Sequence, residues 1–175
     1  QQPTKGKDMQ ISKLEVKNIS YYARGSEETP CYNATVYING KKAIEVSNDG
    51  HGGCDRQDTY PEIEERGLVQ QADEWCVAKF GQETWESGGK TYSTDLDLEH
   101  YCHQELYNWL DRKTLKKDLN VKFLCQEDKE LFAYKKPKHA DEDEFRAVLN
   151  HRHPKAKCLN FMPFEDALKL YKEFG

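Results

Sequence analysis

No run of apolar residues in the chain approaches the ~18 needed to cross a bilayer, so no membrane span is expected. Nor is there an excess of basic charge. Lys+Arg 26 against Asp+Glu 31 leaves a net charge of -5. That balance excludes a generally basic nucleic-acid binder, and it is too even for a polyanion that imitates DNA by bulk charge. The cysteines Cys31, Cys54, Cys76, Cys102, Cys125 and Cys158 form no C-x-x-C pair. Zinc-finger spacing, a Ser-His-Asp arrangement and a nucleotide fingerprint are all missing, as are internal repeats and low-complexity segments. No catalytic residue, metal ligand set or cofactor is therefore assigned.

What is present is a polar chain of 175 residues with 37% hydrophobic, 33% charged and 11% aromatic side chains. The length suits one domain with its own core, and the aromatics argue against disorder. Such a core does not need disulfides, so reduced and mostly buried thiols are expected. The start, Gln1-Gln2-Pro3, has neither an initiator Met nor an apolar leader and reads as a trimmed end. Residues 1–10 are polar and read as a flexible tail, and 11–175 as a single domain.

Leu14 and Val16 alternate with Glu15 and Lys17, a strand pattern. Residues 31–38 and 41–47 flank Asn39-Gly40 and read as a hairpin. A three-residue loop would set Ala34 opposite Ile44 and Tyr32 opposite Val46, gathering Val36 onto the same apolar face. Residues 48–61 and 81–94 read as loops. Leu68, Ala72, Cys76 and Phe80 share one face of a helix over 62–80, whose first turn holds acids. Asp95 is the expected cap of a second helix with Leu98, Cys102, Leu106, Trp109 and Leu110 inward. Val121, Phe123 and Cys125 alternate as a strand, and 131–135 returns beside it. Asp141 and Glu144 have capping-box spacing, 157–162 suits a short strand, and a last helix starts near Pro163. The order predicts an α+β fold: an antiparallel sheet built from hairpins, with about four helices packed on it.

The stretch Ser47-Asn48-Asp49-Gly50-His51-Gly52-Gly53-Cys54-Asp55 is the most unusual. Its glycines free the backbone, and Asp49, His51, Cys54 and Asp55 are residue types that hold a partner, a metal or a proton. The plain alternative is a tight turn in which Asn and Asp bond their own backbone. His100 and His103 are spaced to share a helix face, and they would join His51 and Cys54 only if the fold brought the loop alongside. His151 and His153 suit a helix end. Two basic clusters, Arg112 to Lys117 and Lys135 to Lys138, flank Phe132 and Tyr134 in a pattern that suits single strands, or equally a solvated helix end and strand edge.

Leu14-Glu15-Val16-Lys17-Asn18-Ile19, Ser26-Glu27-Glu28-Thr29, Val36-Tyr37-Ile38-Asn39-Gly40-Lys41 and the Ser47–Gly53 loop together resemble the opening of small proteins encoded by bacteriophages and other mobile elements. The likeness covers residues 13–55 and carries over no catalytic residue. It implies an anti-defence role, like that of anti-CRISPR proteins, by analogy of class.

The expected function is thus a phage-type inhibitor that blocks a host defence machine by protein contact in the host cytoplasm. Its partner would be a host protein or ribonucleoprotein complex. The expected contact residues are Asp49, His51, Asp55, Glu62, Glu64, Glu65, Trp85 and Tyr92. A small enzyme or metal-binding protein using the 47–55 loop is the alternative, and a nucleic-acid accessory module is a second, less favoured one.

Overall fold

The computed structural model describes residues 10–63 and 67–175. The α+β class and the four helices are as the sequence predicts, and all strand pairings are antiparallel. Among the described residues the strands lie in three sheets of four, two and three strands. The chain forms two compact units, divided after Leu106.

In the first unit, β1 (Leu14–Tyr21), β2 (Cys31–Ile38), β3 (Lys41–Asp49) and β4 (Arg56–Thr59) make a meander in chain order. The β2–β3 turn corrects the expected three-residue loop. Ile38 pairs with Lys41, so Asn39-Gly40 is a two-residue turn, with both residues at positive φ (52° and 82°) as a primed hairpin turn requires. One face is still apolar because a bulge at Ala43 shifts the register. Beyond it Val36 opposes Ile44 and Ala34 opposes Val46, and all four are buried, as is Ala43. The four-residue strand β4, which pairs with Ile44–Ser47, replaces part of the expected 48–61 loop. It carries Arg56, Gln57, Asp58 and Thr59, with no apolar side chain to announce it.

Helix α1 (Leu68–Phe80) buries Leu68, Ala72 and Cys76, the stripe read from the sequence. It starts later than expected, after Gly67 in the left-handed region, and has no acid in its first turn. The segment 81–94 is not a loop. Strands β5 (Gln82–Ser87) and β6 (Lys90–Asp95) pair along their full length around Gly88-Gly89. Helix α2 (Leu98–Val121) follows. Asp97, rather than Asp95, caps it: its Oδ1 accepts from the His100 N–H at 3.1 Å. Asp73 of α1 accepts from the Leu98 N–H at 3.1 Å and ties the two helices together. Leu98, Cys102 and Leu106 are fully buried, and the Tyr101 hydroxyl donates to the Leu14 carbonyl of β1 at 3.3 Å.

In the second unit, β7 (Lys122–Glu127) lies between β8 (Glu130–Lys135) and the two-residue β9 (Lys157–Cys158). Alternation along β7 divides the core. Phe123 and Cys125 pack with Leu149 and Cys158, beside Phe145 of α3 (Glu142–Arg152). Leu124 packs with Leu115, Leu159, Ala167 and Leu168, the last two from α4 (Phe164–Phe174). Asp141 caps α3 as its spacing from Glu144 predicts, its carboxylate accepting from the Glu144 N–H at 3.0 Å. All six cysteines are free; Cys76, Cys102, Cys125 and Cys158 are buried, and Cys54 is exposed. Among the described residues no helix is long and apolar enough to cross a membrane.

Candidate functional site

The glycine-rich loop leaves β3 at Asp49 and enters β4 at Arg56. Asn48 organises it. Its Oδ1 accepts from the Gly50 N–H at 2.9 Å and from the Thr29 hydroxyl at 2.6 Å, while its Nδ2 donates to the Gly53 carbonyl at 3.2 Å. The Gly50 carbonyl accepts from the amides of Glu27, Glu28 and Thr29, at 3.1, 3.0 and 3.3 Å. Gly50 sits at φ +87°, and a Cβ there would lie 1.9 Å from the Gly25 carbonyl oxygen. The sequence reading of a turn in which Asn and Asp bond their own backbone describes this part well.

The loop delivers Asp55 to α2. The Asp55 side chain has 0% exposure and His103 has 24%. His103 Nε2 stands 3.0 Å from Asp55 Oδ1 and 3.1 Å from Oδ2. The Tyr32 hydroxyl donates to Oδ2, and Asn48 Nδ2 donates to Oδ1 at 3.1 Å. The Asp55 N–H in turn donates to Glu99 Oε1 at 2.9 Å. Glu99 and His103 are one helical turn apart on α2, so both face the loop. The Tyr32 and His103 rings meet edge to face, 5.6 Å between centroids.

Electrostatics follow from this geometry. Burial alone would raise the Asp55 carboxyl. The hydrogen bonds from His103, Tyr32 and Asn48 outweigh it and hold the group below the ordinary carboxylate range. The bond to Asp55 raises His103, against its partial burial. Burial, and then the bond to Asp55, push Tyr32 up. Burial likewise pushes the Cys102 thiol up, which leaves it a core residue rather than a nucleophile.

The structure therefore brings together Asp55 and His103 and leaves the other expected residues elsewhere. Asp49 is exposed and accepts from the His51 N–H at 3.1 Å. His51 Nδ1 faces Glu27 Oε2 at 3.3 Å. Among the described residues, neither His51, Cys54 nor His100 belongs to the ligand cluster, which consists of Asp55, Glu99 and His103. Glu62 is exposed in a turn; Glu64 and Glu65 lie outside the described residues. His153 bonds Glu127 at 2.8 Å. Glu99 was missed, although an acid four residues before His103 on a helix was a visible signal.

Trp85 and Tyr92 were expected on a loop and are instead directly opposed on β5 and β6. Their rings stack at 5.8 Å and 19°, yet remain 48% and 44% exposed. All six residues of each strand are exposed. No family model, curated protein or solved structure matches the chain.

Proposed function

We propose that this chain is a binding protein that blocks a larger macromolecular machine by surface contact, as a phage-borne inhibitor of host defence would. The observation that carries the reading is the β5–β6 hairpin, exposed along its whole length and holding the stacked Trp85–Tyr92 pair. A two-stranded hairpin is marginal alone in water. Its aromatic pair offers large contact area with few rotamers to freeze, which is why Trp and Tyr dominate binding hot spots. The hairpin also carries Glu83, Glu86 and Asp95 against Lys90 alone. A partner pocket that takes the aromatic pair is therefore best rimmed by basic side chains, which also steer encounter. Such a rim is usual on machines that handle nucleic acid. The host cytoplasm, where these machines act, is the place this reading assigns to the chain.

The test is capture from host lysate with the wild-type chain and with Trp85→Ala/Tyr92→Ala as paired baits. The expected result is a specific complex that the double variant loses while keeping the wild-type thermal midpoint within a few degrees. Absence of any specific complex, or one retained equally by the double variant, overturns the reading.

A further inference from the structure

We propose that Asp55, Glu99 and His103 form a divalent-cation site whose donor set suits Zn2+. One imidazole nitrogen and two carboxylate oxygens lie within 4.8 Å of one another. Two ligands on one zinc ion at ~2.0–2.2 Å stand roughly 3 Å apart. His103 Nε2 and Asp55 Oδ1 are at 3.0 Å. The site needs no rearrangement of elements, because Glu99 and His103 share one face of α2 and Asp55 reaches it from the loop.

The surroundings are those of a held ligand. Tyr32 and Asn48 each donate to a different oxygen of the Asp55 carboxylate, and the Asp55 N–H fixes Glu99 Oε1. Carboxylates that ligate a metal are oriented by outer hydrogen bonds of this kind. The edge-to-face contact of the Tyr32 ring with His103 restricts the imidazole. A cation would displace the proton that His103 Nε2 presents to Asp55 and release it to water; the two carboxylates and the neutral imidazole then carry charge of minus two, which a divalent ion cancels. The imidazole disfavours Ca2+ and Mg2+, and the carboxylates disfavour Cu(I); a borderline divalent ion fits both. Three protein ligands leave a coordination position for water. The cation would pin the loop to α2 and so hold the loop's outer face, with Asp49 and His51, in one conformation. This inference stands apart from the hairpin: its failure leaves the contact reading intact, and the reverse holds.

The experiment is calorimetric titration of ZnCl2 into the full chain, prepared in chelator and dialysed, with the thermal midpoint followed in parallel. The expected result is one ion per chain and a midpoint that rises with zinc. Glu99→Gln keeps the oxygen that accepts from the Asp55 N–H, so it tests the ligand without unmaking the loop. Glu99→Gln and His103→Gln should each weaken binding by at least about tenfold, and Tyr32→Phe, through the outer bond alone, by about tenfold. Cys54→Ser and His51→Ala should bind as wild type. A wild-type chain that takes no zinc overturns the proposal. So does binding that survives both Glu99→Gln and His103→Gln, or binding that Cys54→Ser or His51→Ala abolishes.

Discussion

His103 Nε2 lies within hydrogen-bond distance of both oxygens of Asp55, a carboxylate with no exposed side-chain surface, across 48 residues of chain. The pair fastens the glycine-rich loop to α2. Removing Asp55 strands three donors, from His103, Tyr32 and Asn48. Asp55→Ala should therefore lower the unfolding free energy by about 3 kcal/mol, the usual cost of breaking a buried charged pair. Urea unfolding with an unchanged slope checks it, and a loss below about 1 kcal/mol would mean that the pair is replaceable by water.

The loop glycines are unequal. Gly50 and Gly53 both have positive φ, but a Cβ at Gly50 meets the Gly25 carbonyl at 1.9 Å, whereas Gly53 has open space around it. Gly53→Ala should cost about 1 kcal/mol from backbone strain alone. Gly50→Ala adds a backbone clash with the Gly25 carbonyl, at a residue whose own carbonyl accepts three amides, and should cost well over 2 kcal/mol, a figure on the order of a strained site plus lost bonds. Paired denaturation curves settle the ranking; equal costs would contradict the packing described.

The cap of α3 was legible in the sequence as Asp141 and Glu144, and the structure has that bond. Asp141→Ala should cost about 1 kcal/mol, with Asp141→Ser recovering most of it. The check is thermal unfolding of the two variants beside wild type.

Burial, and after it the charges of Asp97, Glu99 and Glu74, raise the Asp73 carboxyl above its ordinary value, against the Leu98 N–H that lowers it. The folded state thus binds this proton more tightly than the unfolded state. Stability from this group is fullest below the unfolded value and declines as pH rises through the raised, folded value. Asp73→Asn keeps an oxygen for the Leu98 N–H and removes the charge. It should raise stability at pH 7 and flatten this part of the pH profile. A variant less stable than wild type at pH 7 would show that the charge at the α2 N-terminus matters more than its burial.

Legibility followed burial. The strands β1, β2 and β3 and the stripes of α1, α2 and α4 alternate or repeat because one face meets a core, and β7 reads as a strand because its run of apolar residues serves a core on each face. Their positions in the sequence show it. The hairpin β5–β6 meets none, so QETWES and KTYSTD carry no apolar period, and only Gly88-Gly89 between aromatic and Thr residues marked the turn. The Ala43 bulge breaks alternation at a point where two consecutive residues are buried, which a strict period of two cannot represent. At the candidate site, Asp55 and His103 stood among the suspect residues, but their meeting depends on tertiary contact that no local pattern encodes. Cys54 and His51 share the loop with Asp55 and stay exposed, because the Asn48 network folds the loop's polar backbone inward and leaves their side chains outside.

Contact through the exposed hairpin is how we propose that the chain acts. Amide hydrogen exchange over residues 82–95, alone and in complex with the captured partner, reads this out. Fast exchange is expected in the free chain, since every residue of both strands is exposed, and strong protection of Gln82–Ser87 and Lys90–Asp95 in the complex. Hairpin amides that exchange equally fast in the complex, with protection placed on another surface, would contradict it.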